Sequence, residues 1–325
     1  MSSPDIHIVY MGTPEFATAP LRALMDNGIH IAAVITAPDK PAGRGMNLRE
    51  SAVKQFAQEN LDCPIYQPEN LKDQDFINEL KTLNADLFIV VAFRMLPEVI
   101  WSLPKHGTFN LHASLLPQYR GAAPINHAII NGETETGVTT FLIDKKIDTG
   151  KILSHTKVKI EPGDDAGKLH DKLMYAGADL VVKTTNNVMS DSVSPLEQES
   201  FNIPEALLKK APKIFKEDCR INWKMNLDTV TNLIRGLSPF PSAFSELIST
   251  EGKITVCKIF CGEPVEAKHE LLPGTIKSDN KSFIEVAVKN GMYKITSLQL
   301  AGKKRMNVED FLRGFQGDIE SYSFT

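Results

Sequence analysis

The sequence has few cysteines, and they do not have a metal-binding spacing. Cys63, Cys219, Cys257 and Cys261 are the four cysteines among 325 residues, and no paired Cys or His stands near any of them. Structural zinc sites use closely spaced Cys and His pairs, and disulfide scaffolds need a high cysteine content. The sequence therefore predicts no metal site and four free, buried thiols in a reducing compartment.

Long apolar runs and the common nucleotide-binding patterns are also missing. No run approaches the roughly 18 apolar residues that span a bilayer, and the first residues lack a secretion-signal pattern. Gly12-Thr13-Pro14 follows an apolar run, but the later glycines of a dinucleotide turn are absent, as is a P-loop. We expect a cytoplasmic monomer with no membrane contact.

Charge is distributed unevenly along the chain. Residues 205–325 hold 18 Lys and Arg against 15 Asp and Glu, a net +3, which leaves −7 for the rest of a chain whose total is −4. A mildly basic carboxy-terminal part permits a contact with nucleic acid but does not require one.

Strand and helix patterns alternate in the first part of the chain. Apolar runs at 6–12, 31–35 and 86–92 predict buried strands, and the periodicity near 51–59 and 73–83 predicts helices. This alternation is typical of an α/β protein with a Rossmann-like, mostly parallel sheet.

The pattern changes toward the carboxyl end. A helical stripe covers about 164–190, after which the sequence becomes polar and loses its periodicity. Short apolar runs at 254–261, 282–288 and 293–300, separated by turn residues, predict a small β-barrel. We therefore expect three parts: a catalytic domain at 1–189, a linker at 190–208 and a barrel domain at 209–325.

Polar residues with chemical potential cluster at one predicted strand end. Side chains alternate across a strand, so Asn110, His112 and Ser114 should share a face. Asp148, in Asp-Thr-Gly, could fold back onto His112, orient its ring and favour its charged form. The alternative is that each motif forms an ordinary turn. The strand, the loop at 119–124 and the helix predicted at 124–130 together resemble a ligand crevice of an open α/β sheet.

The longest motifs resemble those of a known family. The run from Phe109 to Ile125, followed by Thr136–Phe141 and Ile147–Gly150, is similar to the folate-dependent formyltransferases. The resemblance covers nearly the whole chain. It implies a barrel domain of the oligonucleotide-binding type, 10-formyltetrahydrofolate as co-substrate and no metal.

The chemistry of formyl transfer suits the polar residues. An amine attacks the formyl carbon, an oxyanion forms, and the folate nitrogen leaves with a proton. His112 can move the proton, Asn110 can donate to the oxyanion, and Asp148 can orient His112. The resemblance assigns the same three catalytic positions.

We expect the folate pocket to be formed by Ile89, Val91, Ala92, Phe93, Leu96, Ser114, Leu115, Leu116, Pro117, Leu142 and Ile143. Arg94 would either reach a folate carboxylate or point to solvent.

A loop rich in Pro, Gly and cations, residues 37–48, follows the second predicted strand. Its composition alone indicates a solvated loop, but the resemblance implies that it meets the acceptor end of initiator tRNA. The predicted tRNA-binding residues are Lys40, Arg44, Lys209, Lys210, Lys213, Lys304 and Arg305.

The expected reaction is formylation of methionine carried by initiator tRNA. Two alternatives are a formyltransferase for a small amine, such as a sugar nucleotide or ribonucleotide, and an inactive RNA-binding module.

Overall fold

The computed structural model describes residues 6–42 and 47–325 of the chain. Packing divides the chain into two units, each built from separate stretches of sequence. The first unit comprises Met1–Gly121, Glu135–Lys159 and His170–Lys210, and the second comprises Ala122–Thr134, Ile160–Leu169 and Ala211–Thr325.

Strands and helices alternate in the first half, and strands dominate the second. The strands are β1 (Ile8–Gly12), β2 (Ile31–Ile35), β3 (Lys40–Ala42), β4 (Asn47–Arg49), β5 (Ile65–Tyr66), β6 (Leu87–Val91), β7 (Thr108–His112), β8 (Arg120–Gly121), β9 (Glu135–Leu142), β10 (Ile152–Lys159), β11 (Lys210–Ala211), β12 (Ala243–Ser249), β13 (Ile254–Val265), β14 (Ile276–Ser278), β15 (Ile284–Val288), β16 (Gly291–Leu300), β17 (Met306–Asn307) and β18 (Tyr322–Phe324). The helices are α1 (Thr18–Asp26), α2 (Ala52–Asn60), α3 (Gln74–Thr82), α4 (Glu98–Trp101), α5 (Pro124–Ile130), α6 (Ala166–Met189), α7 (Leu227–Leu237) and α8 (Val308–Gly314).

A seven-stranded sheet forms the centre of the first unit, in the order β10-β9-β7-β6-β1-β2-β5. The strands β5, β2, β1, β6 and β7 pair in parallel, whereas β9 pairs antiparallel with both β7 and β10. All five residues of β1 and of β6 are buried, as expected for parallel strands covered on both faces.

Helices cover both faces of this sheet. On one face, Phe76 and Leu80 of α3 pack in a cluster with Val9 and Val90. On the other, Gly177 of α6 lies so close to a strand that a Cβ there would stand 2.7 Å from Leu111. Two of the helices begin at capping residues: the side chain of Ser51 caps α2 and that of Asp73 caps α3.

The second unit is a nearly closed antiparallel barrel. Its strands follow the order β14-β15-β16-β13-β12-β18, with β17 on β16. The backbone nitrogen of Phe324 donates to the carbonyl of Gly274 at 2.9 Å, and Thr275 forms a bridge with Ser323, so the two ends of the sheet meet. Helix α7 packs into the core of this unit, and Asn126 of α5 donates to the carbonyl of Gly236 on α7.

The predicted fold class is confirmed: a Rossmann-like, mostly parallel sheet and a small barrel. The hairpin of β3 and β4, helix α7 and strand β12 were not predicted. The division at 1–189, 190–208 and 209–325 stays a prediction. Of the helices within the described ranges, none has the length and apolar composition that a membrane crossing requires.

The four cysteines are free, but two of them are only half-buried, Cys63 and Cys261. Burial raises the pKa of Cys63 to about 11 and that of Cys257 to about 12. Both thiols are therefore protonated at neutral pH.

Candidate active site

Asn110 lies in β7 on the sheet face that carries Val90. The register pairs Asn110 with Val90 of β6 and with Phe141 of β9, and residues paired directly across a sheet share a face. Asn110 is half-buried, and its amide has no hydrogen-bond partner within residues 6–42 and 47–325. The amide is therefore available to a ligand.

His112 follows two residues later on the same face and is buried. Its Nε2 lies 2.9 Å from the carbonyl oxygen of Tyr119, and its Nδ1 lies 3.9 Å from Oδ2 of Asp148. Because a carbonyl oxygen can only accept, Nε2 carries a hydrogen in both charge states of the ring. Nδ1 is therefore the atom that gains and loses a proton, and it faces the carboxylate.

Asp148 is held from two sides. The backbone nitrogen of Gly121 donates to its Oδ2 at 2.9 Å. Two residues later, Gly150 lies so close to β9 that a Cβ there would stand 1.7 Å from the carbonyl oxygen of Leu142. The loop around Asp148 thus follows a path that a larger residue at position 150 would block.

Three residues other than glycine around this site have a left-handed backbone. The φ angles are 46° at Ala92, 60° at Tyr119 and 55° at Asp148. Such conformations cost free energy and persist where the surroundings enforce them, which is common at functional sites. Their concentration here supports a functional role for the Tyr119 and Asp148 loops.

Thr139 fixes the chain that leaves β7. Its hydroxyl donates to the carbonyl of Ser114 at 2.7 Å and accepts from the backbone nitrogen of Leu116 at 3.2 Å. The hydroxyl of Ser114 in turn donates to the carbonyl of Gln118 at 2.6 Å. Ser114 is fully buried and occupied in this turn, while Leu116 packs with Phe141.

The structure separates the predicted folate residues into two groups. Phe93, Leu96 and Ile143 pack with the cluster that contains Val90, on the Asn110 face. Ile89 and Val91 alternate with Val90 and point to the opposite face, where Val91 is paired with Leu111. The side chains of Ile89 and Val91 therefore do not share a wall with Asn110, because neighbouring residues of a strand face opposite ways.

The remaining predicted folate residues lie at or just after the ends of strands β6, β7 and β9. Ala92 is exposed directly after β6, and Leu115 and Leu142 are half-buried. Pro117 is buried and follows a cis peptide bond. Of the predicted folate residues, Leu96 lines a surface cleft of about 520 Å³, together with Asn70, Leu71, Lys72, Met95, Pro97, Glu98 and Val99.

Arg94 has a structural contact that neither interpretation from the sequence included. Its Nη1 donates to the carbonyl of Glu69 at 2.8 Å, and its Nη2 donates to the carbonyl of Pro68. The guanidinium also stacks on the ring of Phe93, with 5.5 Å from Cζ to the centroid. Burial lowers the pKa of Arg94. Arg94 thus attaches its loop to residues 68–69.

The described part of the predicted tRNA loop, residues 37–42 and 47–48, includes strand β3 and the start of strand β4. β3 and β4 pair antiparallel, with Lys40 opposite Arg49, and both residues are exposed. Arg44 lies outside the described residues. At the base of the hairpin, Asp39 accepts from Nζ of Lys54 at 2.5 Å and from Nε2 of Gln67 at 2.7 Å. These two hydrogen bonds lower the pKa of the Asp39 carboxyl.

The other predicted tRNA-binding residues differ in their exposure and in their ring contacts and hydrogen bonds. Lys209, Lys210, Lys213 and Lys304 are exposed, and Nζ of Lys213 lies 5.6 Å from the ring centroid of Phe215. Arg305 stacks on Phe260, with 4.4 Å from Cζ to the centroid, and donates to Oγ of Ser297 at 2.9 Å. The guanidinium of Arg305 is thus partly engaged within its own unit.

Sequence reasoning missed four groups near His112 and Asp148: the carbonyl of Tyr119, the backbone nitrogen of Gly121, the hydroxyl of Thr139 and the side chain of Gln198. Gln198 donates to the carbonyl of Asp148 and accepts from Arg120. Two of these groups are backbone atoms, which no residue type signals.

The chain is similar to known formyl transferases over most of its length. A family model described as formyl transferase matches residues 6–185, and one described as formyl transferase, C-terminal domain, matches residues 213–316. Methionyl-tRNA formyltransferase of Bacteroides thetaiotaomicron is 52% identical over 97% of this chain and 98% of its own. The same-named protein of Parabacteroides distasonis is 53% identical, with the same coverage.

Solved structures share the fold at low sequence identity. An N-formyltransferase from Helicobacter canadensis, in complex with folinic acid and dTDP-3-aminofucose, matches with a TM-score of 0.64 at 20% identity, over 93% of this chain and 100% of its own. HypX from Aquifex aeolicus, in complex with tetrahydrofolic acid, matches with a TM-score of 0.61 at 17% identity, over 96% of this chain and 48% of its own.

Proposed function

The chain belongs to the formyl transferase family, and on that basis we propose that it formylates the amino group of methionine carried by initiator tRNA. The formyl donor is 10-formyltetrahydrofolate, and the product is N-formylmethionyl-tRNA for translation initiation. We also propose that the enzyme acts as a cytoplasmic monomer.

The observation that carries this proposal is the Asn110 amide, which has no hydrogen-bond partner in the described part of the chain, beside the imidazole of His112, which faces Asp148. Asn110 and His112 share a face of β7, and Nδ1 of His112 lies 3.9 Å from Asp148. Acyl transfer needs a neutral donor for the developing oxyanion and a group that moves a proton near neutral pH. These side chains supply both.

Each side chain has a distinct task in the transfer. The substrate amine attacks the formyl carbon, and the Asn110 amide donates to the oxygen on which negative charge collects. Nδ1 of His112 takes up the proton that the amine loses and delivers it to the departing folate nitrogen. Asp148 orients the ring and balances the positive charge of the imidazolium. No covalent acyl-enzyme is required, and Ser114 is engaged with Gln118.

The hairpin of β3 and β4 supports tRNA as the acceptor. Lys40 and Arg49 face each other across the two strands and are exposed, so both charges are available to phosphates. The ion pair of Asp39 and Lys54 fixes the base of the hairpin. A small acceptor such as a sugar nucleotide also carries phosphates, but tRNA offers a longer run of them to such an exposed basic element.

The direct test incubates the protein with 10-formyltetrahydrofolate and methionyl-tRNA and detects N-formylmethionine by mass spectrometry. We expect formylation of the charged initiator tRNA and none of an amino-sugar nucleotide in a parallel reaction. His112→Ala should abolish transfer while tRNA still binds in a filter assay. Formylation of the sugar alone, or full activity of His112→Ala, would refute the proposal.

A further inference from the structure

Gln198 joins the two loops that carry the catalytic pair. Gln198 is 2% exposed, and both the nitrogen and the oxygen of its side-chain amide are hydrogen-bonded. Nε2 donates to the carbonyl of Asp148 at 3.0 Å and to that of Gly150 at 2.8 Å. Oε1 accepts from Nε and Nη2 of Arg120, at 3.1 and 2.6 Å. One amide thus fastens residues 148–150 to Arg120.

We propose that Gln198 is a positioning residue of the active site, an inference that rests on the proposed function. Arg120 stands between Tyr119 and Gly121, whose backbone groups hold the imidazole and the carboxylate of the catalytic pair. Gln198 fixes the distance between these two loops and acts on the reaction through them.

Gln198 lies in sequence that neither family model covers. Its position falls between the matched ranges 6–185 and 213–316, in the segment that composition predicts to be a linker. Two backbone hydrogen bonds between Leu196 and Ile152, of 2.8 and 2.9 Å, attach this segment to the start of β10. Gln198 is thereby held in place on the first unit.

Only a neutral amide satisfies the groups around this position. Two carbonyl oxygens require donors, and a guanidinium requires an acceptor. Within the described residues Arg120 forms no ion pair, so a glutamate at 198 would attract it strongly. The same glutamate would bring its negative charge against the carbonyls of Asp148 and Gly150. Gln198→Glu therefore keeps an acceptor for Arg120 but removes the donors to the carbonyls of Asp148 and Gly150. This substitution separates the contact with Arg120 from the contact that positions Asp148.

The first test measures kcat and KM of the full chain and its variants. We expect Gln198→Met and Gln198→Glu each to lower kcat about 10- to 100-fold, because small misplacements of reacting groups have effects of this size. KM for both substrates should change less than about twofold. Thr184→Val serves as a matched control, since it removes a buried hydrogen bond to Thr140 in the same unit.

The control separates positioning from general destabilisation. If Thr184→Val lowers the melting temperature as much as Gln198→Met but keeps its kcat, the loss in Gln198→Met is local. Equal losses of kcat in both variants would overturn the inference. Gln198→Glu with normal kcat would overturn it as well, because Arg120 alone would then account for the role of Gln198.

A double-mutant cycle with Asp148→Asn identifies the route of the effect. If Gln198 acts through Asp148, adding Gln198→Met to Asp148→Asn should lower single-turnover rates by less than about threefold. A further loss as large as in the wild-type background would contradict this.

The ¹⁵N signal of His112 Nδ1 provides a readout without turnover. This signal should move in the same direction in Gln198→Met and in Asp148→Asn, and an unchanged signal in Gln198→Met would overturn the inference. Failure of the wild-type protein to formylate methionyl-tRNA would instead refute the proposed function.

Discussion

Nδ1 of His112 lies 3.9 Å from Oδ2 of Asp148, a distance within ion-pair range but too long for a direct hydrogen bond. Oδ2 already accepts from the backbone nitrogen of Gly121 at 2.9 Å, so the carboxylate is fixed independently of the ring. The gap leaves Nδ1 accessible to the proton of a reacting amine. Catalytic hydrogen bonds of this kind commonly shorten when substrate binds.

Asp148→Asn should lower kcat about 100-fold or more, because an amide cannot balance the charge of the imidazolium. The asparagine oxygen can still accept from Gly121, so the loop should keep its position. Single-turnover formylation measures the loss of rate. As a control, the variant should have the same melting temperature as the wild-type protein. Activity within threefold of wild type would contradict the role of Asp148.

Asn110→Ala should remove one donor to the oxyanion. Loss of a single donor of this type raises a barrier by about 3 kcal/mol, which corresponds to roughly a 100-fold lower kcat. KM for the folate donor should change little. Asn78→Ala, on the exposed surface of α3, is the matched control and should behave as wild type. A variant affected only in KM would place Asn110 in binding and not in catalysis.

Gly150→Ala should displace the Asp148 loop, because the new Cβ would stand 1.7 Å from the carbonyl oxygen of Leu142. We expect a loss of about 1–3 kcal/mol in the free energy of unfolding, as for other overpacked sites, together with a lower kcat. Gly163→Ala is the control, since no atom lies within 4 Å of a Cβ there. Equal stability of the two variants in urea unfolding would argue against the close approach.

Local patterns were sufficient for much of the fold. The strand at 31–35 and the helix at 124–130 have the predicted bounds, since each has clear apolar periodicity and end signals. Helix α7 was missed although its signals are present: Asn226 caps it, and Val230 and Ile234 have helical spacing. The paired strands β3 and β4 could not be predicted, because each is three residues long and they are rich in polar residues and proline.

The site was predictable where it depends on alternation within one strand. Asn110 and His112 share a face because they are two positions apart in β7, with Leu111 between them. The placement of Ile89 was missed because it depends on the register between β6 and β7. Gln198 and Asp148 are 50 residues apart, and only the folded chain brings them together.

Acid should weaken the base of the hairpin. Hydrogen bonds from Lys54 and Gln67 hold the pKa of the Asp39 carboxyl below its ordinary value of 3.8. A carboxyl with a lowered pKa in the folded state stabilises the protein above its unfolded pKa, and this contribution disappears as the pH falls through the folded pKa. The free energy of unfolding should therefore fall more steeply below about pH 4 in wild type than in Asp39→Asn. Parallel curves in urea unfolding would contradict this prediction.

Lys40→Ala should weaken the use of methionyl-tRNA and make it less sensitive to salt. Each phosphate contact that is lost lowers the slope of log K against log salt concentration by about one, because fewer counterions are released on binding. Arg49→Ala should have a similar effect, since Arg49 lies opposite Lys40 in the hairpin. Lys81→Ala, which removes an exposed charge from α3, is the control and should keep the wild-type slope.

The measurement is kcat/KM for charged initiator tRNA across a salt series at saturating folate. If Lys40→Ala and Arg49→Ala both keep the wild-type slope, the hairpin does not contact phosphates. If Lys81→Ala lowers it equally, the effect belongs to net charge and not to this hairpin.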